Sequence, residues 1–304
     1  IHEYSKKNSI KVIQQTNEKN ISSLSDFYSK NNIENKVFSF DQKFSENLEK
    51  RFRATLDIDP GEPQVGEIAS SGIHWALAPA VVKSSLLGKD SHPQKGGFLP
   101  PVALPRRMWA GCQTKFLDTL KIGDQVKKRS SVIDVNLKNG KSGLLCFVKA
   151  KYEFYVDKKL VIEELHDIVY RDFDNNQSTK VIKNDLPLSN PDFEEVIFAH
   201  PTMLFRYSAI TFNGHRIHYD YPYSTQVEGY QDLVFHGPLQ ATLMLRASEK
   251  FKNTRAKSFS HKGIAPVFAN ENLHISVEQL ENGNINCFTS TSAAGMTMKA
   301  EAVF

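Results

Sequence analysis

"LHISVEQLENGNINCF", residues 273–288, sets Leu273, Ile275 and Val277 at alternate positions and follows them with an Asn-Gly pair. Period-two alternation is the pattern of a half-buried strand, and Asn-Gly favours the left-handed backbone of a tight hairpin turn. Ile285 through Phe304 then reads as the returning strand. Just upstream, "VFHGPLQATLML" (234–245) sets a Gly-Pro pair before a run of helix formers. Proline suits a first helical turn, where its missing N–H would be unpaired anyway. The order is helix, then antiparallel meander.

The same order is legible earlier in the chain. Ile133, Val135 and Leu137 alternate, "KNGK" turns, Val148, Ala150, Tyr152 and Phe154 alternate again, and Leu160 to Tyr170 forms a third strand after "VDKK". "DTLKIGDQV" (118–126) can be laid on "APVFANENL" (265–273), and "GFLPPVALPRRMW" (97–109) on "VFHGPLQATLML". That second match puts Pro100 at the place of Gly237 and predicts a first-repeat helix running into "PRRMW". One helix wrapped by a curled antiparallel sheet, present twice, is an α+β double hot dog, and pairing of the copies covers a sheet edge. Residues 1–44, rich in Lys, Asn and Ser, are expected to be a weakly ordered peripheral arm. A short helix is expected around "SENLEKRFRATLDI" (45–58). Residues 45–180 form the degenerate repeat and 181–304 the catalytic one, since no counterpart of His218 is visible in the first half.

With 304 residues the chain can bury a sizeable core. A net charge of +4, with Lys and Arg scattered, indicates no nucleic-acid footprint. The longest apolar runs are too short to span a bilayer. Cys112, Cys146 and Cys287 stand far apart, which fits a reducing compartment and argues against thiolate zinc. The first forty-one residues hold five acidic side chains and no Arg, unlike a transit peptide, and no apolar signal core. The expected location is cytoplasmic, or the mitochondrial matrix in a eukaryote.

Chemistry concentrates in "FNGHRIHYD" (212–220) and "VFHGPL" (234–239). His215, His218 and His236 could bind a metal, but no HExxH is present, so no metal is expected. They could be satisfied loop residues. In the third reading His218 moves a proton while the Gly237 N–H, at the positive end of a helix dipole, steadies an oxyanion. Asp220 either fixes a histidine tautomer or caps a loop. Tyr207, Tyr219 and Tyr221 read as wall residues, with Trp75 and Trp109 in the core or lining an acyl tunnel. Arg106, Arg107 and Arg216 suit a substrate carboxylate or a phosphate, although a solvated first turn serves "PRRMW" equally well.

The stretch "FRYSAITFNGHRIHYDYPYSTQVEGYQDLVFHGPLQATLML" (205–245) resembles the MaoC-like hot-dog acyl-thioester hydratases and dehydratases. It is most similar to the mesaconyl-C4-CoA and itaconyl-CoA hydratase group and the type 2 hydroxyacyl-thioester dehydratases. "LGKDSHPQKGGFLPPVALPRRMWAG", "RSSVIDV", "KSGLLCFV" and "EELHDIVYRD" carry the resemblance through residues 45–304. It implies a cofactor-independent hydro-lyase adding water to a short branched or dicarboxylic enoyl-CoA. By resemblance His218 is the main acid–base group and Gly237 the oxyanion donor. Asn213 stands where the broader signature has Asp, and is expected to hold water, with His215 as helper. His236, Pro238, Tyr219, Arg216, Arg106 and Arg107 would line the substrate site. A 3-hydroxyacyl-ACP dehydratase and a non-catalytic thioester binder are the alternatives, and a homodimer is expected of hot-dog sheets.

Overall fold

The computed structural model describes residues 37–94, 97–100, 102, 104, 106–140, 143–171, 185–186 and 190–304. Its first half contains β1 (Val37–Lys43), α1 (Glu46–Thr55), β2 (Arg106–Phe116), β3 (Gln125–Gly140), β4 (Gly143–Val156) and β5 (Lys159–Arg171). The second contains β6 (Phe193–Phe198), α2 (Pro201–Ile210), α3 (Gly237–Lys252), β7 (Ser258–Gly263), β8 (Asn272–Gln279), β9 (Ile285–Thr291) and β10 (Gly295–Val303). All strands join one sheet in the order β1-β3-β4-β5-β2-β7-β10-β9-β8-β6. From the β2–β7 seam outwards the two halves have the same strand order, so the sheet is two copies of one meander joined edge to edge. The seam pairs Cys112 with His261 in antiparallel register. It removes two open edges that would otherwise invite aggregation.

Local chemistry accounts for the helices. Ser45 caps α1 by accepting from Leu48 N–H at 3.2 Å, with Glu46 and Glu49 in the favourable first turn. Helix α3 carries Leu239, Ala241, Leu243, Met244, Leu245 and Ala247, all fully buried. A helix apolar on so many faces must lie in the core, and it packs on β7 through β10. Each buried leucine contributes about 1.5–3 kcal/mol. Its polar Gln240 is satisfied internally, donating to Thr297 Oγ1 at 2.9 Å and to the Thr289 hydroxyl. Asn253, left-handed at φ 53°, ends the helix. The three cysteines are free and buried. No helix among the described residues is long and apolar enough to cross a membrane.

Three pairs of equivalent backbone hydrogen bonds fix the internal register. Gly123 N–H to Phe44 O (2.7 Å) repeats as Asn270 N–H to Ala199 O (2.9 Å). Ile122 to Glu67 (2.9 Å) repeats as Ala269 to Leu233 (2.8 Å), and Ala69 to Leu120 (3.0 Å) as Phe235 to Val267 (2.8 Å). Ser70 and Ser71 therefore occupy the places of His236 and Gly237. Where the second repeat has the 16-residue α3, the first has only the 3-10 turn Ile73–Ala76. Gly72 lets this stub lie directly on α3: its φ is +84°, and a Cβ there would stand 2.8 Å from Thr242.

Several sequence expectations change. Pro100 is not the counterpart of Gly237, and Arg106–Trp109 open strand β2 rather than a helix. Ile285–Phe304 is two strands, β9 and β10, not one. Residues 37–43 are not a loose arm: they pair with β3, and Phe44 is fully buried. Residues 1–36 and the expected boundary near 180 lie outside the described residues.

Candidate active site

The loop that leaves α2 and the residues preceding α3 bring His218 and His236 together. His236 precedes Gly237 at the helix start and is 1% exposed. Its ring stacks on that of His218, with centroids 3.6 Å apart and planes at 20°. Ser208 of α2 holds His236 Nε2 at 2.8 Å, and Tyr207 packs against the same ring. His218 Nδ1 lies 2.7 Å from the Val234 carbonyl. A carbonyl only accepts, so Nδ1 carries the proton and Nε2 keeps its lone pair. Burial lowers the His218 imidazole to about 4, despite the opposing carbonyl contact. Burial, then the charges of His218 and His215, hold His236 well below the usual histidine range.

Gly237 opens α3, so its N–H has no partner within the helix, and Pro238 has none to offer. The indole of Trp109, from the first repeat, covers Gly237 so closely that a Cβ would stand 2.7 Å from its Cε3. A bulge in the β2–β5 register between Trp109 and Gly111 marks this point of β2. Trp109 Nε1–H donates to His166 Nδ1 at 3.1 Å, and His166 Nε2–H to Glu164 Oε2 at 3.3 Å. Glu164, 1% exposed, also holds His74 (3.1 Å), Trp75 (3.0 Å) and Thr114 (2.9 Å). Burial alone would raise its carboxyl, but His74 and His166 hold it well below the usual range. Trp109 and Trp75 thus meet a buried polar network that no sequence motif announced.

The remaining predicted residues form a half-exposed rim. Asn213 Oδ1 accepts from the His215 N–H at 3.1 Å, closing a local turn and leaving its Nδ2 donors free of that bond. Arg216 is clasped by Asp220, at 2.8 Å from both Nε and Nη2, lies 4.1 Å from the Tyr223 ring, and donates to Lys89 O at 3.2 Å. Asp220 also accepts from Tyr223 N–H at 3.1 Å, so it serves this loop and Arg216 rather than a histidine tautomer. Tyr219 donates to Gly214 O at 2.8 Å, and Tyr221 is exposed. Burial lowers both His92 and His215, and the charge of Arg107 adds to the lowering of each. The side chain of Arg106 lies outside the described residues.

Sequence reasoning missed Asp90 and His92. Their loop docks on the histidine loop through Arg216 N–H to Asp90 O at 3.1 Å. Gly214 permits the approach, since a Cβ there would meet Ser91 O at 2.8 Å. Asp90 Oδ2 lies 3.0 Å from His92 Nδ1, and the His92 ring lies 4.1 Å from that of His215, itself 5.4 Å from His218. Donor atoms of Asp90, His92 and His215 lie within 4.8 Å of one another, as do those of Cys112, Glu164 and His166. In both groups the carboxylate already accepts the imidazole N–H, the pattern of an orienting acid. Among the described residues the first repeat has no matching site. Arg53 stands in place of Ser208, and Glu49 binds Arg53 at 2.7 Å and Ser70 through its hydroxyl.

Residues 72–269 match the model of the family "Hydroxyacyl-thioester dehydratase type 2". Mesaconyl-C(4)-CoA hydratase of Chloroflexus aurantiacus is 38% identical over 215 residues, 71% of this chain and 76% of its own. The mitochondrial hydroxyacyl-thioester dehydratase type 2 of Schizosaccharomyces pombe is 35% identical over 135 residues, 43% of this chain and 44% of its own. A MaoC-like dehydratase from Phytophthora capsici superposes with TM-score 0.68 at 14% identity, covering 90% of this chain and 97% of the other. A Mycobacterium tuberculosis protein described as a double hotdog fold gives 0.52 at 12% identity, covering 88% and 94%. The chain is a double hot-dog member of the hydroxyacyl-thioester dehydratase type 2 family, a hydro-lyase of acyl thioesters.

Proposed function

We propose that the protein hydrates a short branched or dicarboxylic enoyl-CoA of the mesaconyl type, reversibly, with His218 as the proton-transfer group. The observation that carries this reading is the stacking of His218 on His236 at 3.6 Å, since His236 directly precedes Gly237, whose N–H has no partner within its helix. With the thioester oxygen against that amide, negative charge forming on it meets a fixed dipole in a water-poor site. In the hydration direction, water oxygen bonds to C3 and its proton passes to His218 Nε2. The C2=C3 electron pair moves to give the thioester enolate, and the proton then returns to C2. Asn213 Nδ2 holds the attacking water. Arg107 serves a substrate carboxylate or phosphate, and Tyr219 and Pro238 line the approach. Proton transfer and a backbone donor suffice for this chemistry, so the reading requires no metal or cofactor.

The similarity to the mesaconyl-C(4)-CoA hydratase, which spans more of the chain than that to the S. pombe dehydratase, favours a short CoA ester over a longer acyl-ACP. The test is a panel of mesaconyl-CoA, itaconyl-CoA, crotonyl-CoA and 3-hydroxyacyl-ACP, followed by loss or gain of enoyl-thioester absorbance. Turnover of the branched CoA esters, lost by ~10²-fold or more in His218→Ala, is expected. Unchanged turnover in that variant overturns the assignment of His218, and preference for acyl-ACP overturns the substrate class.

A further inference from the structure

The site holds more imidazoles than one proton transfer needs, two of them partly exposed and two buried. Asp90 and His92 side chains are 39% and 22% exposed, His215 is half-buried, His218 is 7% exposed and His236 1%. Successive ring centroids from His92 lie 4.1, 5.4 and 3.6 Å apart. Their order does not follow the chain. The outer pair comes from the first repeat and the inner three from the second, brought together by the Gly214–Ser91 approach and the Arg216–Asp90 hydrogen bond.

We infer that Asp90 and His92 are a positioning dyad that takes over, through His215, the proton His218 acquires from water, and returns it for delivery to C2. The inference rests on the hydratase reading above. His92 Nδ1–H is held by Asp90 at 3.0 Å, so His92 Nε2 has a free lone pair, and the carboxylate stabilises the imidazolium when it forms. The balance is simple. Water oxygen bonds to C3 and its proton goes to His218 Nε2. His215 accepts that proton and hands one to His92. After the enolate has formed, the path reverses and the proton ends on C2, leaving every imidazole as it began.

The physical reason lies in the cost of charge at each position. A charged His218 would sit in a desolvated place with a single carbonyl contact, and burial lowers its imidazole to about 4. Burial also lowers His92 and strongly lowers His215, so His215 only passes the proton on, while at His92 the hydrogen bond donated to Asp90 opposes the shift. His92 faces Asp90, His215 and Arg107; His215 faces His92, His218, Asp90 and Arg107; His218 faces His215, His236 and His92. Asp90 is the one carboxylate among these groups, so positive charge is least costly beside it. The dyad also supplies a carboxylate to a site whose local motif has Asn213 in place of the family's Asp.

The test compares His92→Ala, Asp90→Asn and His218→Ala with the unmodified chain on mesaconyl-CoA, after thermal melts establish that each variant is folded. Expected for His92→Ala is a ~10- to 10²-fold fall in kcat with KM within about twofold, partly restored by millimolar free imidazole. Asp90→Asn should also lower kcat and should move the acid limb of the kcat–pH profile to lower pH, because His92 without its carboxylate is harder to protonate. Unchanged kcat in His92→Ala, an effect confined to KM, or no restoration by imidazole overturns the dyad while leaving the hydratase reading intact. Stoichiometric metal in the unmodified protein, lost with His92, also overturns it. An inactive unmodified chain on every ester of the panel overturns the hydratase reading itself.

Discussion

Replacing Gly237 by alanine probes the contact that joins the two repeats at the start of α3. The added Cβ would stand 2.7 Å from Trp109 Cε3 and 2.8 Å from Cζ3, well inside carbon–carbon contact distance. The indole cannot simply swing away, because its Nε1–H is tied to His166 Nδ1 at 3.1 Å and His166 to Glu164. The helix start must therefore move by several tenths of an ångström. Overpacking of this kind costs about 1–3 kcal/mol of stability. Activity should fall as well, by about tenfold or more in kcat, since a full 1 Å displacement of a catalytic group costs about 10²-fold. Urea denaturation and steady-state kinetics of the single variants and of Gly237→Ala/Trp109→Leu form a double-mutant cycle. The smaller leucine should relieve the clash, giving a coupling of about 1–3 kcal/mol. Additive effects, or a Gly237→Ala variant with unmodified stability and kcat, would refute the account of this contact.

Three further outcomes follow from particular groups. Gly214→Ala, whose Cβ would meet the Ser91 carbonyl at 2.8 Å, should push the Asp90–His92 loop off the histidine loop and lower kcat about tenfold, with His218 still in place; kinetics at saturating substrate check it. Glu164→Gln leaves buried donors from His74, Trp75 and Thr114 facing an amide and should cost about 3 kcal/mol, read as a lower denaturation midpoint. His218 has a folded-state pKa of about 4, below the unfolded value near 6.5, so the unfolded chain binds its proton first as pH falls. The stability linked to His218 is then fully present above about pH 6.5 and is lost progressively down to about pH 4. Its size is about 3 kcal/mol, and His236 and His261 shift in the same direction. Urea midpoints across that window should fall, and fall less steeply in His218→Asn.

What could be read in advance was whatever is written in local periodicity. The meanders β3–β5 and β8–β9 alternate and turn at Asn-Gly, and α3 combines Gly-Pro with a run of helix formers, so the double hot dog followed. Strand β2 was missed because it lies at the seam, paired with β5 on one side and β7 on the other. Its sequence "RRMWAGCQTKF" shows no alternation, and a bulge breaks its period. Short, polar β7, "SFSHKG", owes its place to its neighbours β2 and β10. The false match of Pro100 to Gly237 has a physical origin too. Proline marks any place where a chain begins a turn, whereas the true equivalence of Ser71 and Gly237 resides in backbone hydrogen bonds. His218, His236 and Gly237 were legible as a cluster because they lie close in sequence. Asp90 and His92 were not, since 123 residues separate His92 from His215 and only the packing of the two repeats joins them. Asn213 and Arg216 were identified by position, but their hydrogen bonds to His215 N–H and to Asp220 appear only in three dimensions.

The central claim is that the His218 imidazole and the Gly237 amide act on one thioester. A crystal structure with a non-reactive saturated acyl-CoA bound tests it most directly. The thioester oxygen should lie about 3 Å from Gly237 N, with C2 or C3 about 3.5 Å from His218 Nε2. A thioester seated elsewhere, or one reaching the amide with His218 turned away from the acyl chain, would contradict the account.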